Sequence, residues 1–420
     1  MTSLSENPAT GSETIPVPEP DLTAQQLIDR ATAMREMLRA DGDAAEERGT
    51  YSEAIHQTFT EAGVYRFLQP RRFGGYEFGL DEFFRLVIEV ARADPGIGWS
   101  MCLASAHVFQ LAAFFGEEAQ REVFGRDGHV VMPARGIPRG TARTVDGGYI
   151  VSGRWDYCSG CTYSTHMMGL VLSADPDQSG APRRIMVALP RQDYTIEDDW
   201  GGGVTLGMGA SSSNTISAEE VFVPEHRALT YDWKDYDLTD TGTPGFQLYG
   251  NPMYLARTLT LFYGELSAIM VGAARAALDE YESIMRDRST SFPPPMPRLD
   301  SDFHHQWFGE AMGLVDTAEY AVSGIVTDYM ARCRRWAEAG EDFDVITDAR
   351  MRDAMAVAGR LAIEAIDLMF RTGGSVAARR GSRLQRYFRD SSMFRTHIAA
   401  QYEAVMASTS RAYFGKPLIH

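Results

Sequence analysis

The spacing of apolar residues changes period twice along the 420-residue chain, and this constrains the fold more than any single motif. Between residues 21 and about 125 the spacing is helical. In "LDEFFRLVIEVARA" the apolar residues recur at helical intervals, namely Phe83, Phe84, Val87, Ile88 and Ala91. Asp94 and Pro95 end one helix and start the next, because proline fits a first helical turn but not a helix interior. The pattern predicts four or five helices in this part.

Short β-rich runs replace the helical pattern between about residues 130 and 227, among them "GGYIVSGRWDY" and "RRIMVALP". Helical spacing returns in longer segments from about residue 252. This order predicts an α+β fold in which both helical parts form one body with the sheet beside it. We expect a disordered tail at 1–20, an N-terminal helical domain at 21–128, a middle antiparallel β domain at 129–229 and a C-terminal helical bundle at 230–420.

Charge and composition disfavour several classes of partner. The formal net charge of −17 does not favour binding to nucleic-acid phosphates. No run approaches the roughly 20 apolar residues that cross a bilayer, and the polar N-terminus lacks the apolar core of a signal peptide. The four cysteines are too few and too scattered for a disulfide framework. We therefore expect no nucleic-acid or membrane partner and a reducing cytoplasmic location.

The Cys-x-x-Cys of Cys158 and Cys161 admits a redox, a zinc or a local structural interpretation. A thioredoxin-type motif begins a helix after a strand, whereas this one lies between two predicted strands. A structural zinc needs four ligands and usually a second close pair, but Cys102 and Cys333 are isolated and His166 has no neighbouring ligand. The local backbone role is therefore favoured, and no metal site is predicted.

Several segments in this order resemble the acyl-CoA dehydrogenase superfamily over about residues 51 to 420. They are "YRFLQPRRFGGYE", "GWSMCLASAH", "GGYIVSGRWDYCSGC", "EEVFVPEHR" and "LQRYFRDSSMFRTH". The resemblance implies an acyl-CoA dehydrogenase-like fold with a C-terminal four-helix bundle that associates into a homotetramer.

Two chemistries occur in that superfamily. A dehydrogenase needs a carboxylate base over the flavin, and in the usual position this chain has His397 and Ile398 where Tyr and Glu would stand. An alternative base position falls near Phe262, and Glu265 is close to it. An acyl-CoA dehydrogenase therefore remains an alternative, as does a non-catalytic flavin-binding protein of the same fold.

The stretch "SGRWDYCSGC" resembles the flavin-facing turn of the two-component flavin-dependent monooxygenases of this fold. The resemblance implies an oxygenase component that takes reduced FMN or FAD from a separate NAD(P)H-dependent flavin reductase. With O2 it would form a C4a-hydroperoxide and hydroxylate a small aromatic or phenolic substrate; an N- or S-oxygenating relative such as a nitrososynthase is the alternative. The implied flavin contacts are Trp155, Tyr157, Cys158 and Ser159, with Cys158 where relatives usually place a hydroxyl facing flavin N5.

The same resemblance implies the remaining site residues. His107 occupies the position of a histidine that contacts the substrate hydroxyl, His397 that of a second active-site histidine, and Arg257 that of a cation near the flavin. Further implied flavin contacts are the turn residues Ser211 and Ser213 and, toward a neighbouring subunit, Arg371, Gly373 and Gly374. Met132, Pro133 and Ala134 offer no hydroxyl where phenol hydroxylases commonly have a serine, which suggests an apolar or polycyclic substrate.

Overall fold

A computed structural model describes residues 14–125, 127–176, 180–230, 238 and 241–419. The N-terminal part is helical. Its α-helices are α1 (Ala24–Ala33), α2 (Arg35–Arg48), α3 (Glu53–Ala62), α4 (Leu80–Ala93), α5 (Pro95–Phe114) and α6 (Glu117–Phe124). Six helices in the described part of this range exceed the predicted four or five, because α1 and α2 separate at Met34 and α6 is only 8 residues long.

Helix α5 begins where the sequence predicted. The Asp94 carboxylate Oδ1 accepts a hydrogen bond from the Ile97 N–H at 3.0 Å, which caps the first turn, and Pro95 occupies the first helical position. Most of the helix is buried, so it runs through the interior of the N-terminal part. It therefore provides a rigid support for any side chain that it presents to a site.

The middle part is an eight-stranded sheet in the order β6-β7-β3-β2-β4-β5-β8, with β1 paired to β4. The predicted antiparallel sheet is corrected to a mixed one, because β4 runs parallel to both β1 and β2. These pairings join distant segments, so alternation within a strand cannot reveal their direction. The strands are β1 (Ala134–Arg135), β2 (Gly140–Val145), β3 (Gly148–Trp155), β4 (His166–Pro176), β5 (Pro182–Pro190), β6 (Thr195–Ile196), β7 (Ile216–Pro224) and β8 (Ala228–Thr230).

The C-terminal part is built around three long helices. Its α-helices are α7 (Pro244–Tyr249), α8 (Thr258–Asp287), α9 (Asp302–Ala339), α10 (Val345–Gly373), α11 (Arg383–Phe394) and α12 (Tyr402–Tyr413). Helices α8, α9, α10 and α11 pack as the predicted four-helix bundle, and α12 packs on α10. One hydrophobic core continues from α4 and α5 into α8 and α10, so the two helical parts form one body, as predicted.

Two helices, α5 and α8, are long and apolar enough to cross a membrane by length and composition alone. Their most apolar windows are 89% and 78% buried inside the protein. Burial in the shared core thus accounts for their composition.

The N-terminal tail predicted for residues 1–20 falls only partly within the described chain. Residues 1–13 lie outside it. Ile15 donates its N–H to the Arg72 carbonyl at 2.9 Å, and the Glu19 carboxylate pairs with Arg30 at 2.6 Å. Residues 14–20 therefore pack on the helical body.

Candidate active site

The turn after β3, residues Trp155 to Cys161, packs against α5, and we call it the shelf turn. The Trp99 indole N–H on α5 donates to the Ser159 hydroxyl at 2.9 Å, and both side chains are buried. On its other side, the Trp99 ring meets the His397 ring edge to face, with centroids 5.5 Å apart. Trp99 therefore joins residues of all three parts of the fold at one place.

A chain of three buried serine hydroxyls extends from Trp99. Oγ of Ser159 lies 2.7 Å from Oγ of Ser213, which lies 2.7 Å from Oγ of Ser211. Three hydroxyls carry three protons, but the two links between them use only two. If Ser159 donates to Ser213, its oxygen keeps a lone pair for an external donor; if the chain runs the other way, Ser159 keeps a proton for an external acceptor.

The backbone of the shelf turn requires glycine at Gly160. Its φ is +82°, in the left-handed region, and a Cβ there would lie 2.7 Å from the Ser100 carbonyl oxygen. The Gly160 N–H donates to the Ser211 carbonyl at 3.1 Å, which ties the shelf turn to the serine chain. Gly160 thus sets how closely the shelf turn approaches α5.

We expect Gly160→Ala to lower the free energy of unfolding by about 1–3 kcal/mol, because strain and overpacking add at this position. Urea denaturation followed by circular dichroism measures the change. Gly136→Ala is the matched control, since a Cβ at Gly136 meets nothing within 4 Å. Equal stability of the two variants would contradict the role assigned to Gly160.

The two shelf-turn cysteines point into the core of the β domain. The Cys158 thiol donates to the Trp155 carbonyl at 3.2 Å and the Cys161 thiol to the Ser212 carbonyl at 3.3 Å. Burial raises the pKa of both thiols, that of Cys161 to about 11, so neither is a reactive thiolate. This supports the local structural interpretation of the Cys-x-x-Cys.

The structure buries Cys158, which the resemblance places facing flavin N5, and that role stays a prediction. Tyr157 has a positive φ of 56°, and the chain there leaves the tyrosine ring 50% exposed while the next side chain, Cys158, is buried. The Ser159 hydroxyl, and not the thiol, lies beside Trp99. Trp155 is likewise a core residue, fully buried, with its indole N–H donating to the Leu170 carbonyl at 3.0 Å.

His397 is a half-buried imidazole whose tautomer follows from its contacts. Its Nδ1 accepts from the Ala399 N–H at 3.2 Å, which places the ring proton on Nε2. Burial, helped by the positive charge of Arg135, lowers the pKa of His397 to about 4. At neutral pH the ring is therefore uncharged, with Nε2–H as a hydrogen-bond donor.

His107 lies on α5 eight residues after Trp99, about 12 Å along the axis and about 80° around it. Burial lowers its pKa to about 4, opposed by the nearby backbone of Met132 and Leu103, although neither makes a hydrogen bond of full geometry to Nδ1. Its buried Nδ1 has no hydrogen-bond partner within the described chain. An uncharged imidazole with a free ring nitrogen can accept a proton or a hydrogen bond from a bound molecule.

Arg135 at the end of β1 was missed by the sequence reasoning. Its guanidinium pairs with Asp156 at 3.1 Å and lies 5.7 Å from the centre of the Tyr157 ring. Its charge also acts on His397 and Cys158. The sequence contains a signal for Arg135, because it directly follows Met132, Pro133 and Ala134, the positions at which phenol hydroxylases commonly have a serine.

The two cations that were predicted, Arg257 and Arg371, are not among the side chains that lie near Trp99 in the described chain. Arg257 precedes α8, and its Nε donates to the Phe343 carbonyl at 2.8 Å, beside the start of α10. Arg371 is exposed on the last turn of α10, where the buried Arg298 donates to the Gly373 carbonyl at 3.0 Å and Gly374 has φ +85°. Their roles toward flavin, in this subunit or a neighbour, stay predictions.

An internal cavity of about 20 Å³ lies between α4, α5 and α8. Leu103, Ala106 and Phe262 of α5 and α8 are half-buried. The lining of the cavity is mostly apolar and consists of Leu68, Leu80, Phe83, Phe84, Ala106, Phe109, Gln110, Phe114, Ala256, Thr258, Leu261, Phe262 and Glu265.

The groups around Trp99 fit a flavin ring. The serine chain offers one unused hydroxyl proton or lone pair, His397 offers Nε2–H, and Arg135 offers a positive charge. The edge of an isoalloxazine carries both donors and acceptors, and its reduced form carries negative charge, so this mixed set is complementary to it. Across the described residues no group of three or more His, Cys, Asp or Glu side chains is placed to hold a metal ion.

Comparisons with known proteins identify the relatives of this chain. Residues 24–126 match the acyl-CoA dehydrogenase N-terminal domain and residues 265–402 its C-terminal domain. The flavin-dependent monooxygenase oxygenase subunit HsaA of Rhodococcus jostii is 31% identical over 394 residues, 93% of this chain and 99% of that protein. The oxygenase component of an FADH2-dependent resorcinol hydroxylase from Rhizobium is 26% identical over 93% of this chain and 94% of its own length. The crystal structure of 3-HSA hydroxylase from Rhodococcus has a TM-score of 0.84 at 29% identity, covering 95% of this chain and 99% of that chain.

Proposed function

The chain belongs to the acyl-CoA dehydrogenase superfamily, within its flavin-dependent monooxygenases, and on that premise we propose the roles of its own residues in hydroxylating a phenol. It is the oxygenase component of a two-component system, so a separate flavin reductase supplies its reduced flavin. The observation that carries the assignment of roles is the contact of Trp99 with both Ser159 and His397. It joins a hydroxyl chain and a neutral imidazole.

The bound reduced flavin supplies the electrons that activate O2. Ser159, supported by Ser213 and Ser211, would hold the bound ring by a hydrogen bond; Trp99 holds Ser159 in place. The neutral His397 donates its Nε2–H into the site, and Arg135 stabilises negative charge there. Apolar walls exclude water, which favours oxygen transfer over loss of hydrogen peroxide.

His107 is assigned to the substrate. Its unpartnered Nδ1 accepts the hydrogen of a phenolic hydroxyl, which makes the aromatic ring more electron-rich. An imidazole that is uncharged at neutral pH is in the protonation state that this role requires.

The proposal also covers the oligomeric state and the cellular location. We place the enzyme in the cytoplasm, because all four cysteines are free thiols. We propose a homotetramer in which Arg371 and the exposed end of α10 face a neighbouring subunit's flavin. Either reduced FMN or reduced FAD would serve as cofactor.

Reconstitution with NADH, O2 and a flavin reductase tests the function. With FMN or FAD and a panel of phenols, we expect O2-dependent formation of hydroxylated product and less hydrogen peroxide per NADH when substrate is present. The competing dehydrogenase chemistry is tested by mixing flavin-loaded protein anaerobically with acyl-CoA thioesters. Bleaching of the flavin in that experiment, without hydroxylation in the first, would overturn the proposal.

Ser213→Ala should weaken flavin binding about 3- to 10-fold, because it removes the middle link of the serine chain and one net hydrogen bond is worth about 0.5–1.5 kcal/mol. It should also raise the hydrogen peroxide released per NADH. Flavin titration and a peroxide assay measure the two effects. Ser283→Ala, at an exposed position on α8, is the control; the same result for both variants would remove the serine chain from the flavin site.

A further inference from the structure

Two buried tyrosines near the start of α5 form a hydrogen-bonded chain that the roles assigned above do not use. The hydroxyl oxygen of Tyr51 lies 2.7 Å from that of Tyr65, which lies 3.0 Å from Nδ1 of His56 on α3. Tyr51 and Tyr65 are 1% and 2% exposed, whereas His56 is half-buried. These three residues, which we call the tyrosine chain, therefore lead from the surface into the interior.

Each member of the tyrosine chain can accept one proton while it gives up another. A phenolic hydroxyl is both donor and acceptor, and an imidazole carries a proton on either ring nitrogen. Burial raises the pKa of Tyr51 and of Tyr65 and lowers that of His56, so all three are uncharged at neutral pH. When water protonates Nε2 of His56, its Nδ1 proton can pass to Tyr65 and the Tyr65 proton to Tyr51.

The groups that surround His56 hold it in this arrangement. After burial, the largest effects on its pKa are those of Glu53 on the same helix, which raises it, and of His129, which lowers it. Tyr163 stacks on the His56 ring with centroids 4.2 Å apart and planes 7° apart. The Tyr163 hydroxyl also donates to the Tyr51 carbonyl at 2.9 Å. Since Tyr163 lies two residues after the shelf turn, it joins the tyrosine chain to that turn.

Ser100 on α5 lies between the inner end of the tyrosine chain and the shelf turn. Its buried hydroxyl is close enough to Tyr51 to lower that pKa against the larger effect of burial, although no hydrogen bond of full geometry joins them. The Ser100 carbonyl oxygen would lie 2.7 Å from a Cβ at Gly160. One turn earlier, a Cβ at Gly96 would lie 3.0 Å from the Ala210 Cβ. This face of α5, with Ser100 on it, therefore meets the shelf turn and the segment that enters the serine chain.

Thr50 approaches the serine chain from a second direction. It is paired with Ser211 across an antiparallel backbone bridge, and directly opposed residues place their Cβ atoms on one face, about 5 Å apart. The hydroxyls of Thr50 and Ser100 are buried, and neither has a hydrogen-bond partner in the described chain. Buried hydroxyls of this kind are commonly satisfied by a water that bonds several of them, and one such water would join the tyrosine chain to Ser211.

We propose that the tyrosine chain relays a proton from water to the serine chain during hydroxylation. The reaction consumes one proton, because anionic reduced flavin, O2, a phenol and a proton give oxidised flavin, the hydroxylated product and water. One oxygen atom forms the new C–O bond and the other leaves as water, with two electrons from the flavin and two from the broken C–H bond. The flavin and the ring carbon each release one proton, and the third comes from the solvent. A site closed to water needs a path for it. This inference rests on the proposed function.

Exchange of the Tyr51 hydroxyl proton with water tests the relay in the flavin-free protein. NMR of tyrosine-labelled protein measures it, and the signal is assigned by its loss in Tyr51→Phe. We expect His56→Phe and Tyr65→Phe each to slow the exchange about tenfold or more, because each removes one proton-transfer group. Tyr254→Phe is the control, since this buried hydroxyl donates to the Leu68 carbonyl at 3.1 Å, outside the tyrosine chain. Exchange as fast in both relay variants as in the control would refute the relay.

Single turnovers in lightly buffered solution with a pH-indicator dye test the relay at work. Wild type should take up one proton for each product molecule. His56→Ala should lower the rate of hydroxylation about 10- to 100-fold, and added imidazole should restore most of it by carrying protons in place of the ring. Tyr65→Phe should be as slow without being rescued, while its flavin binding and melting temperature stay close to those of Tyr254→Phe. A loss in His56→Ala that imidazole does not restore would show that His56 acts only by packing.

Failure of the relay and failure of the proposed function give different results. If exchange at Tyr51 depends on His56 but no phenol is hydroxylated with reduced flavin and O2, the proposed function fails and the proton path stands. If hydroxylation by Tyr65→Phe is as fast as by Tyr254→Phe, the proposed function stands and the relay fails.

Discussion

Replacing His107 with asparagine is expected to lower kcat for phenol hydroxylation by about 100- to 10,000-fold, the range typical of removing a general base. The imidazole has a buried Nδ1 with no partner in the described chain, and asparagine cannot take a proton. Measured product formation per turnover should fall while reduced-flavin binding, assigned to Ser159 and its neighbours, stays within about threefold. Chromatographic detection of product in stopped assays measures product formation, and flavin titration measures flavin binding.

His166→Asn is the matched control for this loss. His166 is half-buried and its pKa is likewise lowered to about 4, but it lies at the start of β4, where its Nδ1 is 3.1 Å from the Thr165 hydroxyl. Both substitutions therefore remove an imidazole whose pKa is lowered by burial, but only His107 is assigned to the substrate. Hydroxylation by His107→Asn within about threefold of the control would show His107 to be a core residue.

The pH profile gives a second readout for the histidines. Burial lowers the pKa of both His107 and His397 to about 4, so both are uncharged throughout pH 6–8. Protonation, and with it loss of the proton acceptor, occurs only as the pH falls toward 4. We expect kcat/KM of wild type to show no inflection near pH 6.5; an inflection there that disappears in His107→Asn would contradict the uncharged resting state.

Local sequence signals predicted the helical parts and the sheet region, whereas the residues of the shelf turn were implied by the family resemblance. Asp94 and Pro95 marked the start of α5 because capping and proline geometry depend only on neighbouring residues. The serines of the shelf turn and of residues 211–213 were predicted from resemblance, and the structure joins them through hydroxyl contacts.

Features that depend on distant residues were not predicted. The buried orientation of the Cys158 side chain follows from the positive φ of Tyr157. This backbone conformation is uncommon for residues other than glycine, so the sequence does not predict it. The parallel pairing of β4 with β1 and β2 joins segments separated in sequence. Arg135 gains its significance from burial and neighbours, and it is a single residue without a motif.

The sequence also did not predict the ion cluster at the start of α5, which supports the site. Arg386 of α11 is 8% exposed; its Nη1 donates to the Asp94 carboxylate at 3.2 Å, and it also contacts Asp43 and Glu46 of α2. Asp390, one turn further, accepts from the Met208 N–H at 2.6 Å. The cluster therefore fixes α5, α11 and the segment that leads to the serine chain relative to one another.

Arg386→Met should lower the free energy of unfolding by about 3–5 kcal/mol near pH 8, because it leaves buried carboxylates without their cation. Arg383→Met, one turn earlier and half-exposed with Glu280 at 3.3 Å, is the control and should cost at most about 1 kcal/mol. Urea denaturation of both variants at pH 8 and pH 5 measures the difference.

The dependence on pH has a defined sign. Burial and mutual repulsion raise the pKa of Asp94, and burial raises that of Asp390, so the folded state binds more protons than the unfolded state above the ordinary aspartate range. Stability contributed by these groups therefore falls as the pH rises. Removing Arg386 raises both pKa values further, so the deficit of Arg386→Met should be larger at pH 8 than at pH 5. A deficit that is equal at the two pH values would mean that Arg386 acts by packing rather than by neutralising these carboxylates.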